Sequence, residues 1–212
     1  MTPRAPRKAA ERPECRDEIR GLLLNAIEEV VAEGSSFTEV SVANLVDRAG
    51  ISRSTFYVYF KDKGELLRSG FEVVIEEMHG SAEQWFAIGA DSTRQDLRDA
   101  INRIVSVYRP HTALISAADD SSSYDSEIRE RINGVIEHNL GRLASHIERG
   151  QAGGWIDPTL LPRETASWMI AAAERGQQQL TGPALESEVP ALVDALADLL
   201  WSALYETARR QP

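Results

Sequence analysis

The sequence predicts an all-α protein, with a three-helix helix-turn-helix head joined to a larger helical body. Three observations carry this. From Ile19 onward, apolar residues recur at i, i+3 and i+4 spacing, and no segment alternates with a period of two. Residues 50–63 read Gly-Ile-Ser-Arg-Ser-Thr-Phe-Tyr-Val-Tyr-Phe-Lys-Asp-Lys, richer in aromatics and hydroxyls than a surface helix needs. The charge is also divided. Residues 1–70 hold 11 basic and 11 acidic side chains, whereas residues 71–212 hold 12 and 22, so the body carries the whole net charge of −10. A neutral head with local basic spots still binds phosphate, and an acidic body disfavours wrong orientations on a polyanion.

The composition is that of a globular protein, 42% apolar and 26% charged, and 212 residues suffice for a substantial core. No apolar run approaches the roughly 18 residues of a membrane span, and none follows the N-terminal basic residues to make a signal peptide. Cys15 stands alone, which excludes an intrachain disulfide or a cysteine zinc cluster and fits a reducing cytoplasm. His79, His111, His138 and His146 lack zinc-like spacing, and no nucleophile elbow or phosphate-loop glycine pattern is present. No catalytic site, metal or cofactor is expected.

Residues 1–16 read as a polar arm whose Arg4, Arg7 and Lys8 either reach a minor groove or belong to a tail without a role. The first helix is expected over Asp17–Glu33, with Leu23, Ile27 and Val30 among its core residues and Gly34 as its stop. Ser41 is the expected cap of a second helix over 42–49. Its hydroxyl either caps alone or also meets a phosphate beside the amides there. Gly50 can take the positive φ that ends this helix, and Ser52 caps a third that ends near Tyr59. Ile51, Phe56 and Phe60 turn inward, leaving Arg53, Thr55, Tyr57 and Tyr59 with groups that read base edges and hold phosphates. On pattern alone, a helical hairpin with half-buried tyrosines remains open.

Asp62 is expected to cap a fourth helix that runs unbroken to about Ile88 and joins head to body, dividing the chain into 17–62 and 63–212. Further helices are expected over Thr93–Ala118 with a break at Pro110, Tyr124–Arg149, Pro162–Leu180, and from Pro190 to about Ala208. Residues 117–123, with Asp119 and Asp120, read as a solvated loop. Ala166, Ala171, Ala172, Ala173 and Gly176 allow close helix approach, and Leu192, Leu196, Leu199, Ala203 and Leu204 form a stripe. The last two helices either make a homodimer surface or complete the monomer core. The four tryptophans, Trp85, Trp155, Trp168 and Trp201, all lie in the body, where they either line a cavity or fill solid core.

"ISRSTFYVYFKDKGELL", preceded by "FTEVSVANLVDRAG" and a long amphipathic helix, resembles the DNA-binding domain of the TetR family of bacterial repressors. Ile51, Ser52, Thr55, Phe56, Tyr57, Tyr59, Phe60 and Lys63 stand at the pattern positions, and the likeness spans about residues 17–68. The resemblance implies a ligand-responsive repressor that binds a palindromic double-stranded operator as a homodimer through its last two helices. Arg53, Thr55 and Tyr57 would lie at or near bases and Ser41, Tyr59 and Lys63 at phosphates, with Ser52 completing the DNA-binding set. Weaker likeness to the branch containing the mycobacterial regulator of ethionamide activation implies an apolar tunnel for a small hydrophobic effector. Its lining would be Leu97, Ile101, Ile104, Tyr108, Val135, Asn139, Met169 and Trp201. The competing class is a helical small-molecule-binding or scaffold protein with no DNA role.

Overall fold

The computed structural model describes residues 13–206 and 208, and all regular structure among them is helical. Arg4, Arg7 and Lys8 lie outside the described residues. Helix α1 spans Pro13–Ala32, beginning ahead of the expected Asp17. Helix α2, Val42–Arg48, is capped by Ser41, whose hydroxyl accepts the Asn44 amide at 3.2 Å. Gly50 at φ +66° reverses the chain, and the Ile51 amide donates to the Val46 carbonyl at 3.0 Å. Helix α3, Arg53–Tyr59, is capped by Ser52. Helix α4, Lys63–Ser81, starts with a reciprocal cap: Asp62 accepts the Glu65 amide, and Glu65 accepts the Lys61 amide, each at 2.8 Å.

The fourth helix does not run unbroken to Ile88. It stops at Ser81, and a separate turn, α5, covers Glu83–Phe86. Gly80 weakens the last turn, the Ser81 hydroxyl donates to the Met78 carbonyl at 2.7 Å, and the chain swings to bury Trp85. Helix α6, Arg94–Tyr108, opens with a Thr93–Asp96 capping box. Pro110 sits in a 3₁₀ turn, Arg109–His111, and α7 continues over Thr112–Ser121. The solvated loop expected at 117–123 is therefore helical as far as Ser121. Burial of Ala117, Ala118 and Ser121 outweighs the polar local sequence.

Helix α8, Ser126–Ala152, is capped by Asp125, and α9, Pro162–Gly176, packs along it. Helix α10, Val189–Trp201, carries Pro190 in its first turn and packs on α6. Both α9 and α10 run on into π-helical turns, Gln177–Thr181 and Ser202–Glu206.

Two apolar cores result. The first joins Leu23, Ile27, Leu45, Phe56 and Phe60 to Leu66, Phe71 and Ile75 of α4, Leu114, Ala117 and Ala118 of α7, and Ile128 of α8, so it crosses the expected boundary at 62/63. The second holds Trp85, Leu97, Ile101, Leu143, Ile147, Val193, Leu204 and Tyr205. Inside it the Trp85 indole N–H donates to the Tyr205 hydroxyl at 3.3 Å, and that hydroxyl lies 2.8 Å from Nε2 of His146.

This packing sets two expectations for stability. Gly50→Ala forces a Cβ into left-handed backbone and should cost about 1 kcal/mol, lowering the melting temperature by about 2–4 °C. Burial lowers the His146 pKa from 6.5 to about 4, so between these values the unfolded chain binds the proton that the folded chain refuses. Its contribution is fully present above pH 6.5 and is lost as pH falls toward 4. Denaturant titrations across that window should show His146→Gln losing less stability than wild type.

Candidate nucleic-acid interface

Helix α3 is seven residues long and would not persist alone in water, so its geometry comes from anchoring. Phe56 is 0% exposed and Phe60 1%, with ring centroids 5.8 Å apart, and both pack into the first core. The same rotation turns Arg53, Ser54, Tyr57 and Val58 to solvent, with Tyr57 55% and Val58 56% exposed. The Phe56 and Tyr57 rings meet edge to face with centroids 5.2 Å apart, which braces the base of the exposed phenol. A guanidinium, a hydroxyl, a phenol and a branched apolar side chain thus project from one short helix, a set suited to base edges and the thymine methyl.

The structure divides the expected DNA-binding residues. Arg53 and Tyr57 are on the exposed face. Ser52 and Thr55 lie at its N-terminal edge with their hydroxyls 2.8 Å apart, and Ser52 also accepts the Thr55 amide. Ser41 is exposed at the start of α2. Tyr59 instead turns toward α1, half-buried, and donates to Sγ of Cys15 at 3.0 Å. Lys63 also turns inward: its Nζ donates to the carbonyls of Phe37, Thr38 and Val40 at 2.9, 2.7 and 2.9 Å and lies 5.0 Å from the Phe37 ring centroid. Burial pushes this ammonium below the usual lysine range.

Most other cations of the head are engaged. Arg16 pairs with Glu65, Arg20 with Asp17, Arg48 with Glu33 and Glu29, and Arg68 with Asp125 and Glu127. Among the described residues of the head, Arg53 and Lys61 have no side-chain partner, and both are exposed. Lys61 and Val58, which the sequence analysis does not single out, are also exposed at this end of the head. Lys61 was legible as a basic residue flanking the Asp62 cap, and Val58 as an apolar position off the buried face of α3.

Of the eight residues expected to line an effector tunnel, the structure brings five together in the second core and places Val135 elsewhere. Leu97 and Ile101 are closed in the second core, with Ile104, Met169 and Trp201 packed against it. Val135 packs on the first core instead. Tyr108 is buried, and burial beside Asp119 pushes its hydroxyl up to about 12, while Asn139 is half-buried on α8. Two surface grooves lie elsewhere. One of about 390 Å³ runs between α4 and α8 past Arg68, Phe71 and Arg131, and one of about 470 Å³ runs beside α8 past Phe86, His138 and Arg142. Of the stripes expected to pair two subunits, Ala166 and Leu204 are 0% exposed and belong to the monomer core. The remaining faces are open, with Trp168 80% and Leu199 69% exposed and Ala171, Ala172 and Ala203 beside them.

No group of three or more His, Cys, Asp or Glu that could hold a metal ion is found among the described residues. No helix among them is long and apolar enough to cross a membrane.

Comparison with known proteins agrees with this geometry. Residues 23–69 match the family model of bacterial regulatory proteins of the tetR family. The HTH-type transcriptional regulator EthR of Mycolicibacterium smegmatis is 26% identical over 211 residues, covering 97% of this chain and 94% of that protein. EthR of Mycobacterium tuberculosis is 28% identical over 157 residues, covering 74% and 73%. In fold, the TetR family regulator PfmR of Thermus thermophilus superposes with a TM-score of 0.70 at 14% identity, over 86% of this chain and 97% of that one. Residues 23–69 thus form a helix-turn-helix head of the tetR family that exposes Arg53, Tyr57 and Val58, and the chain as a whole is similar to HTH-type transcriptional regulators over nearly its full length.

Proposed function

We propose that the chain is a homodimeric repressor of the bacterial cytoplasm that binds a palindromic operator and is released by a hydrophobic small molecule. The observation that carries the DNA-reading half is the exposed face of α3, held from behind by Phe56. Arg53 is the candidate for a guanine, Tyr57 and Thr55 lie at or near bases, and Ser41 and Ser52 lie at phosphates. One seven-residue helix reads too few base pairs alone, so two heads are needed, about 34–36 Å apart on successive major grooves.

The pairing surface is the open face of α9 and α10. Trp168 and Leu199 are large apolar side chains that a monomer would leave in water, and the flanking alanines let helices approach closely. Dimerisation there buries them and fixes the distance between the heads.

The effector half rests on the second core, which is apolar and built around α6 and α10. A hydrophobic ligand that parts these helices displaces α4, which packs on α6, and α7, which packs on α1 and α4. The heads then leave operator spacing, and the ligand's leverage is its preference for that second state.

Arg53→Ala should relax preference at one base pair of each half-site, by about 1–3 kcal/mol of discrimination, while leaving the melting temperature unchanged. Competition among duplexes that differ at single positions measures this. Trp168→Glu with Leu199→Glu should give a folded monomer by sedimentation and abolish tight operator binding. A doubly substituted chain that remains dimeric would place the interface elsewhere.

A further inference from the structure

In the family pattern Lys63 reads as a lysine for phosphate, but the structure gives its ammonium other partners. Three carbonyls, of Phe37, Thr38 and Val40, converge on Nζ at 2.7–2.9 Å, one for each of its protons. These carbonyls belong to the turn between α1 and α2, whose own bonds are Glu39 N to Ser36 O at 3.0 Å, Val40 N to Phe37 O at 3.3 Å, and those of the Ser36 hydroxyl with the Thr38 amide and hydroxyl. Val40 immediately precedes Ser41, the cap of α2, and α3 packs on α2. Lys61, two residues before Lys63, is exposed, and its ammonium has no partner among the described residues.

We propose that Lys63 is a positioning residue for DNA binding, an ammonium staple that fixes the turn before α2 and so the seat of α3, and that Lys61 supplies the charge facing phosphate at this end of the head. Three hydrogen bonds from one charged donor hold a turn far more firmly than its own backbone bonds do. Moving Nζ to a phosphate would leave those carbonyls without their donor.

The assignment rests on the DNA-binding role of the head, and its test separates the two. Lys63→Met, Lys63→Arg and Lys61→Met are compared with wild type, first for thermal melting without DNA. They are then compared for affinity to one duplex selected by the wild-type protein, over a range of salt, at a temperature well below every melting point. Lys63→Met should melt lower by on the order of 5 °C and bind roughly tenfold more weakly, with the slope of log affinity against log salt unchanged. Lys63→Arg keeps the charge but cannot aim one nitrogen at three carbonyls, and it should weaken binding in the same way. Lys61→Met should melt normally and make the slope shallower by about 0.9 for each head engaged.

A shallower slope with unchanged melting for Lys63→Met, rescued in Lys63→Arg, would overturn the proposal in favour of a direct phosphate contact. Lower melting with unchanged affinity for Lys63→Met would overturn it in favour of a purely structural lysine. If the wild-type chain bound no duplex, the DNA reading itself would fall, whereas the melting comparison would still report on the staple.

Discussion

The burial of Phe56 is the constraint on which the rest of the molecule depends. Helix α3 has two turns and cannot hold itself together, so its orientation is whatever the core makes of Phe56 and Phe60. Because those two rings face inward, Arg53, Tyr57 and Val58 face outward. The caps only mark where the helix starts and stops: Ser52 holds the amide of Thr55, and Asp62 holds that of Glu65. Truncating Phe56 would leave a cavity of the kind that costs about 3–5 kcal/mol, on the scale of a whole domain's net stability.

The core that receives Phe56 is not confined to the head. Leu66, Phe71 and Ile75 of α4, Leu114 and Ala117 of α7, and Ile128 of α8 pack into it. The break at Ala82 ends α4 before it reaches far into the body, so α4 is not a single rod between two sites. Helix α7 provides the second connection. On one side it packs against α1 and α4, and Ser36 of the head hydrogen-bonds Asp120. On the other, Gln178 in the π turn after α9 hydrogen-bonds Asp119. A close-packed interior of this kind passes displacement between discrete arrangements and does not absorb it.

What the sequence displays is largely what local chemistry decides. The caps at Ser41, Ser52 and Asp62 each bond an amide three residues on, and Gly50 takes its positive φ where the apolar stripe of α2 ends. The period of the apolar residues marks most helices. What it hides depends on distant partners. Lys63 binds carbonyls 23–26 residues earlier, and Tyr59 meets Cys15 44 residues away, so neither inward turn is visible from position in the motif. Residues 117–121 look polar, and only contact with α1 and α4 shows why Ala117 and Ala118 make them helix. Leu97 and Val135 share an apolar character but fall in different cores, which spacing along a chain cannot tell.

Among the described residues the head offers little unpaired positive charge, with Arg53 and Lys61 exposed among ion pairs, and the body behind it is strongly acidic. In the function we propose, affinity for DNA comes from a few contacts made twice, which makes symmetry the central claim. Selection of duplexes from a random library by the wild-type protein, at one fixed moderate salt concentration, tests it most directly. The account predicts enrichment of a palindrome whose half-sites are centred about 34–36 Å apart. Enrichment of a single unrepeated site, or of none, by protein shown to be folded, dimeric and stripped of ligand by refolding, would contradict it.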